Sequence, residues 1–382
     1  MAHVVLLSPF HGGSHADWAE GLAKHSQHDI ELLTLPGRNW KWRMRGAAIT
    51  LARHAAELRP AEVILATDML DVTTFLALTR WQSPAVPLVL YMHENQLTYP
   101  LPGDGRCRGP QRQPGPGNEP FGFINLVSML AADQVVFNSA FHRDELLARL
   151  PQFLSEAPDQ RELDSVTQVR DRSEVLYPGI QVDDLGADCG ATGWAEGRDE
   201  PPLVLWNHRW EYDKDPATFF TALQRVAAQG VDFGVALCGE CPGNVPGEFE
   251  SGIRALADRI VHAGFLPRPE YAAVLRRATV VVSTARHEFY GISVLEAVAA
   301  GAIPLLPRRL SYPEVLPRQA HSACLYVGTD ELVDKLASVL RDPASWRVAT
   351  DGLAAEVRRR HGRDQLASSY DALLEQAGAR LN

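Results

Sequence analysis

Five cysteines in 382 residues (Cys107, Cys189, Cys238, Cys241 and Cys324), scattered and odd in number, are too few for a disulfide framework. Cys238 and Cys241 have zinc-knuckle spacing, but no second pair accompanies them, so a structural site lacks ligands and no metal is expected. Long hydrophobic runs are also missing: none approaches the roughly 18 apolar residues of a membrane helix. Met1 leads straight into the strand-like residues 3–8 without a signal-peptide pattern, so a cytoplasmic protein with no membrane partner is expected. Positive charge is in deficit, with 37 Lys and Arg against 47 Asp and Glu and a net charge of −10. Long-range attraction to nucleic acid is thereby excluded, and only a local basic patch remains open to it. Neither a short-period repeat nor a GxGxxG fingerprint is present.

What is present, 46% hydrophobic and 22% charged residues, is ordinary globular material long enough for two domains. Strand-like runs at 4–8, 30–35, 63–67, 88–92, 134–138 and 175–177 alternate with amphipathic segments such as 18–24 and 46–58. That alternation is the sequence form of an α/β fold with a mostly parallel sheet. It stops between Pro178 and Pro202, which is rich in Gly, Asp and Pro, then restarts with strand-like runs at 203–207, 233–238, 260–265, 278–284, 303–306 and 324–327. The expected organisation is two Rossmann-like domains facing each other across a cleft: residues 1–178, a linker 179–202, and 203–382 ending in helices from about 343 to 380.

The most informative stretch is 286–301. The buried strand 278–284 feeds a loop through Glu288 and Tyr290 to Gly291, Ile292 and Ser293, and an amphipathic helix carrying Val294, Leu295 and Glu296 follows and closes at Gly301. A strand that breaks at glycine into a helix aims free N–H groups and a positive dipole end at one point, where phosphate can sit. Arg209 and Lys214 follow the strand 203–207 and make a candidate diphosphate clamp or, alternatively, paired surface cations. The turn at Gly264, Phe265 and Leu266 is a candidate reader of a nucleobase edge.

In the first half, Gly12 and Gly13 follow the first strand and permit close approach of a ligand to backbone, while Ser14 is a candidate cap for the next helix. His93, Glu94 and Asn95 follow the strand 88–92, a position from which loop residues meet ligands in open α/β sheets. Ser139 reads as a helix cap. Residues 38–45 hold four cations, among them Lys41, Arg43 and Arg45, with Trp40 and Trp42. Cations attract phosphate and aromatic faces stack on bases, so the cluster is either a nucleic-acid contact or tryptophans in a core beside a solvated face. Residues 101–120 are rich in Pro, Gly and Arg and read as a surface insertion or an acceptor-binding loop.

These residues resemble a known family. The second half is similar to family-four retaining GT-B glycosyltransferases: Arg209 and Lys214 after a strand, a Gly-Phe-Leu turn, and Glu288 and Glu296 flanking Gly291. The first half, in residues 9–15, 35–43, 92–100 and 136–141, is similar to the tRNA-queuosine mannosyltransferases. The resemblance implies transfer of mannose from GDP-mannose to the cyclopentenediol of queuosine in the anticodon of aspartate tRNA. It also implies that Glu288 contacts the sugar, Glu296 the ribose, and the 291–295 amides the diphosphate. The departure from that pattern is the 101–120 loop.

The expectation is therefore a metal-independent, retaining hexosyltransferase of the GT-B fold, with a nucleotide sugar and tRNA as partners. His93, Glu288, Arg209 and Lys214 are the catalytic candidates; Gly12, Gly13, Phe265, Leu266, Tyr290 and the 291–296 segment join the donor side. Trp40, Lys41, Trp42, Arg43, Arg45, Glu94 and Asn95 form the acceptor side. A glycan, lipid or small-molecule acceptor, or a non-catalytic sugar-nucleotide-binding protein, are the alternatives.

Overall fold

A computed structural model describes residues 1–80, 86–100, 119–186, 200–241 and 245–379. The chain divides into two compact units, Met1–Gly179 with Arg363–Asn382, and Ile180–Gly362.

In the first unit the strands are β1 (His3–His11), β2 (Asp29–Pro36), β3 (Val63–Thr67), β4 (Leu88–Met92), β5 (Gln134–Phe137) and β6 (Ser173–Val175). They form one parallel sheet in the order β2-β1-β3-β4-β5-β6. Helices cover both faces, which is why β3, β4 and β5 are buried at every residue and lack alternation. One face packs Leu7, Ile64, Leu90 and Phe137 under the helix Trp40–Ala55 and its neighbours. The other packs Leu6, Leu65 and Tyr91 against Trp18, Tyr370, Leu373 and Leu374. β1 runs through Pro9 because its pairing with β3 ends at Leu7, where a missing N–H no longer matters.

In the second unit the strands are β7 (Leu203–Trp206), β8 (Gly234–Cys238), β9 (Ile260–Gly264), β10 (Val280–Val282), β11 (Ile303–Pro307) and β12 (Leu325–Tyr326), in the order β12-β11-β10-β7-β8-β9. Every pairing is parallel. In each sheet the winding direction reverses once, between β1 and β3 and between β7 and β10. Crevices at the carboxyl ends of such reversals are where ligands of open α/β sheets bind.

The domain limits differ from the expected ones in two respects. Residues 180–186 of the expected linker belong to the second unit: Ile180 and Leu185 are fully buried, and the Ile180 amide donates to the His361 carbonyl at 2.8 Å. Residues 187–199 of that linker, and 101–118 of the expected loop with Cys107 and Cys189, lie outside the described residues. The helix Arg363–Ala379, expected in the second domain, belongs to the first. Its stripe of Tyr370, Leu373, Leu374 and Ala377 fits the Trp18 face, and the Trp18 indole N–H donates to Tyr370 Oη at 3.0 Å. A helical period reports that one side is buried, without saying against what. Among the described residues no helix is long and apolar enough to cross a membrane.

Candidate functional site

Of the residues expected on the donor side, Arg209 and Lys214 follow β7 and the segment from Glu288 to Glu296 follows β10, whereas Phe265 and Leu266 follow β9 and Gly12 and Gly13 follow β1 in the first unit. Gly291 takes a φ of 101°, a left-handed conformation that favours glycine, and opens the helix Ile292–Ala299. The side chains of Val294 and Leu295 are fully buried, and the Leu295 amide donates to the Gly291 carbonyl at 3.0 Å, so of the expected 291–295 amides only those ahead of Leu295 stay on offer to an anion. Tyr290 is buried too, its hydroxyl 2.7 Å from His361 Nδ1, which makes the side chain a strut.

Lys214 is buried beside this helix start. Its Nζ donates to the His287 carbonyl at 2.8 Å and lies 3.3 Å from Glu288 Oε2 and 3.2 Å from Asp213 Oδ2. Burial alone would lower its pKa, but the attraction of Asp213 and Glu288 outweighs it and raises it above the usual lysine value. The ammonium is therefore a permanent charge already matched by two carboxylates. Arg209 is half-exposed and pairs with Glu211 at 3.2 Å, so the two cations of the expected clamp differ in kind. Arg286 grips Asp215 with two bonds of 2.8 Å, and Thr284 Oγ1 donates to the Lys214 carbonyl at 2.8 Å. These contacts tie the loop after β7 to the loop after β10.

Glu296 is 6% exposed and bonded by Arg268 Nη1 at 2.6 Å. Arg268 also holds Asp184 through Nε at 2.6 Å and Nη2 at 2.8 Å. Phe265 is 64% exposed on the turn after β9, and Leu266 is half-buried. Sequence reasoning missed Asp213 and Arg268. The first sits beside a named lysine and is readable from that adjacency, whereas nothing in the spacing of Arg268 and Glu296 along the chain announces their pairing.

In the first unit, His93 follows β4 and is buried among Trp18, Tyr91 and His15, with ring centroids 4.7, 4.8 and 4.3 Å away. Burial, then the proximity of His15 and His142, pushes its pKa well below the usual histidine value. It is a neutral imidazole, able to hydrogen-bond a hydroxyl but not to supply charge. Beside it stands Asp68, directly after β3, which sequence reasoning also missed: its Oδ1 accepts from the His93 amide at 2.9 Å. The rule that singled out His93, a polar residue at a strand's carboxyl end, finds Asp68 as well. Glu94 is half-buried and accepts from Gln96 Nε2 at 2.7 Å.

Three expectations are corrected here. Asn95 is fully buried, and its Oδ1 accepts from the Leu97 and Thr98 amides at 3.1 and 2.9 Å, so its side chain is closed off from the surface and builds the turn. Trp40 is half-buried against Phe121, ring centroids 5.1 Å apart, in a small core with Met44 and Met69. Ser14 lies inside the helix Gly13–His25, whose N-cap is Gly12, and makes no cap. Ser139 does cap, accepting from the His142 amide at 2.9 Å. Gly12 is explained by packing, since a Cβ there would stand 3.2 Å from Gly37 Cα, while Gly13, at a φ of 52°, has open space around it.

The remaining members of the basic cluster form a surface. Trp42 is 65% exposed, and a Cβ on Gly46, one turn along the same helix, would come within 2.8 Å of its ring. The missing side chain lets the indole lie along the helix. Lys41 and Arg45 are exposed around it, Arg43 is half-buried with its Nε donating to the Pro36 carbonyl at 3.2 Å, and the Arg45 guanidinium lies 4.9 Å from the Phe121 ring centre. Among the described residues no group of three His, Cys, Asp or Glu side chains is placed to hold a metal ion.

Comparison with known proteins agrees with this division. Residues 3–180 match the family described as tRNA-queuosine alpha-mannosyltransferase N-terminal, and residues 194–352 match glycosyl transferases group 1. The tRNA-queuosine alpha-mannosyltransferase of Drosophila melanogaster is 33% identical over 357 residues, 91% of this chain and 90% of that protein. Among solved structures, sucrose-phosphate synthase from Thermosynechococcus elongatus is similar over 100% of both chains with a TM-score of 0.74 at 15% identity. Anabaena HepE in complex with UDP and glucose covers 98% of this chain and 100% of its own, with a TM-score of 0.64 at 14% identity. At those identities the likeness concerns the fold, two α/β units as in these enzymes. Sequence likeness over nine-tenths of both proteins goes further, and the chain belongs to the tRNA-queuosine alpha-mannosyltransferase family.

Proposed function

We propose that the protein is a GT-B enzyme that transfers mannose from GDP-mannose to the cyclopentenediol of queuosine in the anticodon of aspartate tRNA, with retention at the anomeric carbon and without a metal cofactor. One observation carries the donor half: Lys214, Glu288 and the N-terminus opened by Gly291 converge where the second sheet reverses its winding. A donor diphosphate competes for the Lys214 ammonium with the Glu288 carboxylate, and Glu288, once released, accepts from a sugar hydroxyl. Lys214, Arg209 and the helix start then neutralise the departing diphosphate, the task a divalent ion performs elsewhere. The acceptor oxygen bonds to the anomeric carbon from the leaving-group side as the bond to the diphosphate oxygen breaks, and that oxygen takes the proton. Trapping a covalent glycosyl-enzyme would contradict this step.

Glu296 is assigned to the ribose, Phe265 and Leu266 to the nucleobase edge, and His93 to a substrate hydroxyl. The acceptor half is supported by the name of the Drosophila relative and by the exposed Trp42 among Lys41, Arg43 and Arg45. The net charge of −10 does not oppose it, because charges beyond about 10 Å are screened at physiological salt. The test is to incubate the protein with queuosine-containing tRNA and a panel of GDP- and UDP-sugars, then weigh the digested nucleosides. A hexose on queuosine with GDP-mannose alone is the expected result. Transfer only to a glycan or small molecule, or hydrolysis without transfer, would replace the acceptor assignment.

A further inference from the structure

The first sheet reverses its winding between β1 and β3, and the residue directly after β3 is Asp68. Asp68 is 1% exposed, and among the described residues its Oδ2 has no hydrogen-bond partner. Two more buried polar atoms nearby are in the same condition, His93 Nε2 and Gln96 Oε1, on residues 9% and 1% exposed. The backbone around them is satisfied: the Asp68 carbonyl accepts from Asn125 Nδ2 at 3.2 Å, and the His93 carbonyl accepts from Asn138 Nδ2 at 2.8 Å. An unmade hydrogen bond on a buried polar atom costs free energy, so atoms in this condition on the residues that follow β3 and β4 mark a point where a ligand group could supply the missing partner.

We propose that Asp68 and Glu94 form a hydroxyl-recognition site at this reversal, in which Asp68 Oδ2 donates to a hydroxyl of a bound polyol and Glu94 accepts from it. Burial, and then the neighbouring Glu94 charge, raises the Asp68 pKa well above the usual carboxylic range, which keeps a proton on the oxygen the His93 amide does not use. A hydroxyl is the ligand group that can both accept from a neutral acid and donate to a carboxylate. Two substrates of the proposed reaction carry such groups, the cyclopentenediol of the acceptor and the hexose of the donor. The proposal rests on that reaction only for naming them.

Affinities are measured for four ligands: tRNA carrying queuosine, the same tRNA carrying guanosine, GDP-mannose and GDP. Asp68→Ala should weaken one hydroxyl-bearing ligand on the order of 5- to 150-fold and leave its counterpart unchanged. Loss confined to the queuosine tRNA identifies the acceptor diol; loss confined to GDP-mannose identifies the sugar. Asp68→Asn keeps an acceptor for the His93 amide and a donor in place of Oδ2, so it should bind within a few-fold of wild type. Glu94→Ala must weaken the same ligand, and it provides the comparison if Asp68→Ala melts below the assay temperature. Unchanged binding of all four ligands, or equal loss of both members of a pair, would overturn the proposal. If the wild type itself does not distinguish the two tRNAs, the acceptor reading fails and Asp68 is judged on the donor pair; distinguishing neither pair refutes both.

Discussion

Gly46→Ala is a substitution whose effects on stability and on RNA binding should have opposite signs. The new Cβ would stand 2.8 Å from Trp42 Cε2 and 2.9 Å from Cζ2. Trp42 is exposed and free to swing away, so the clash displaces the indole and leaves the helix intact. Within a helix, alanine is favoured over glycine by about 1 kcal/mol. The first unit should therefore melt at the same temperature or roughly 2–4 °C higher. If the indole stacks on an unpaired base of the RNA, losing its fixed position removes about 1–3 kcal/mol of binding, a weakening of roughly 5- to 150-fold. No charge changes, so the slope of log affinity against log salt should stay constant, whereas Lys41→Ala, Arg43→Ala and Arg45→Ala together should flatten it. A thermal melt reads the stability effect, and fluorescence titration of queuosine tRNA across a salt series, with GDP binding as the control, reads the others. Trp42→Ala should match Gly46→Ala, and the double variant should lose no more than either. Wild-type affinity in Trp42→Ala would refute the stacking argument, and loss in Trp42→Ala with none in Gly46→Ala would refute the positioning argument.

Glu288→Gln should abolish transfer while GDP binds as well as or better than to wild type, because the Lys214 ammonium loses a competing carboxylate; calorimetry showing weaker GDP binding would count against the exchange. His208 and His361 in the second unit are pushed by burial from the usual 6.5 to about 3 and about 4. Both stay neutral in the fold while the unfolded chain binds protons below about pH 6.5, so their contribution is intact above that pH and falls on acidification. Each should remove about 1.4 kcal/mol per pH unit down to its folded value, and urea titrations from pH 7 to 4.5 should show a shallower fall in stability for His361→Gln than for the wild type. Gly37→Ala places a Cβ 2.8 Å from Gly12 Cα and 2.9 Å from Gly12 N, backbone that cannot rotate aside; a destabilisation of about 1–3 kcal/mol is expected in chemical unfolding, and none would mean the two loops part easily.

The strands were legible because both faces of each sheet are covered, which writes them as unbroken apolar runs such as 63–67 and 88–92. Their ends were less so. β1 continues past Pro9 to His11 because pairing survives on one side only, and the helix bearing the basic cluster starts at Trp40, not near residue 46, since cations and tryptophans carry no strong helical signal. Candidate residues next to each other in sequence, such as Glu288 with Tyr290 and Gly291, can be named together from the sequence. Those that meet across the chain, Arg268 with Glu296 and Asp68 with the His93 amide, cannot, because no periodicity encodes their meeting. Burial also separated look-alikes: Trp40 and Trp42 are two residues apart, one packed on Phe121 and the other in solvent.

The return of the helix Arg363–Ala379 to the first unit sets an order on synthesis. The chain enters the second unit at Ile180 and leaves it at Gly362, and these residues are bridged side by side, so residues 180–362 form an insert whose last internal contact is made before the final helix exists. A nascent chain that has reached Gly362 carries everything the second unit needs, whereas the first still lacks Tyr370, Leu373 and Leu374, which complete the core around Trp18. The part translated first is thus the part completed last, and a ribosome stalled within the seventeen codons of that helix would leave the edge of Trp18 open for chaperones or proteases to find.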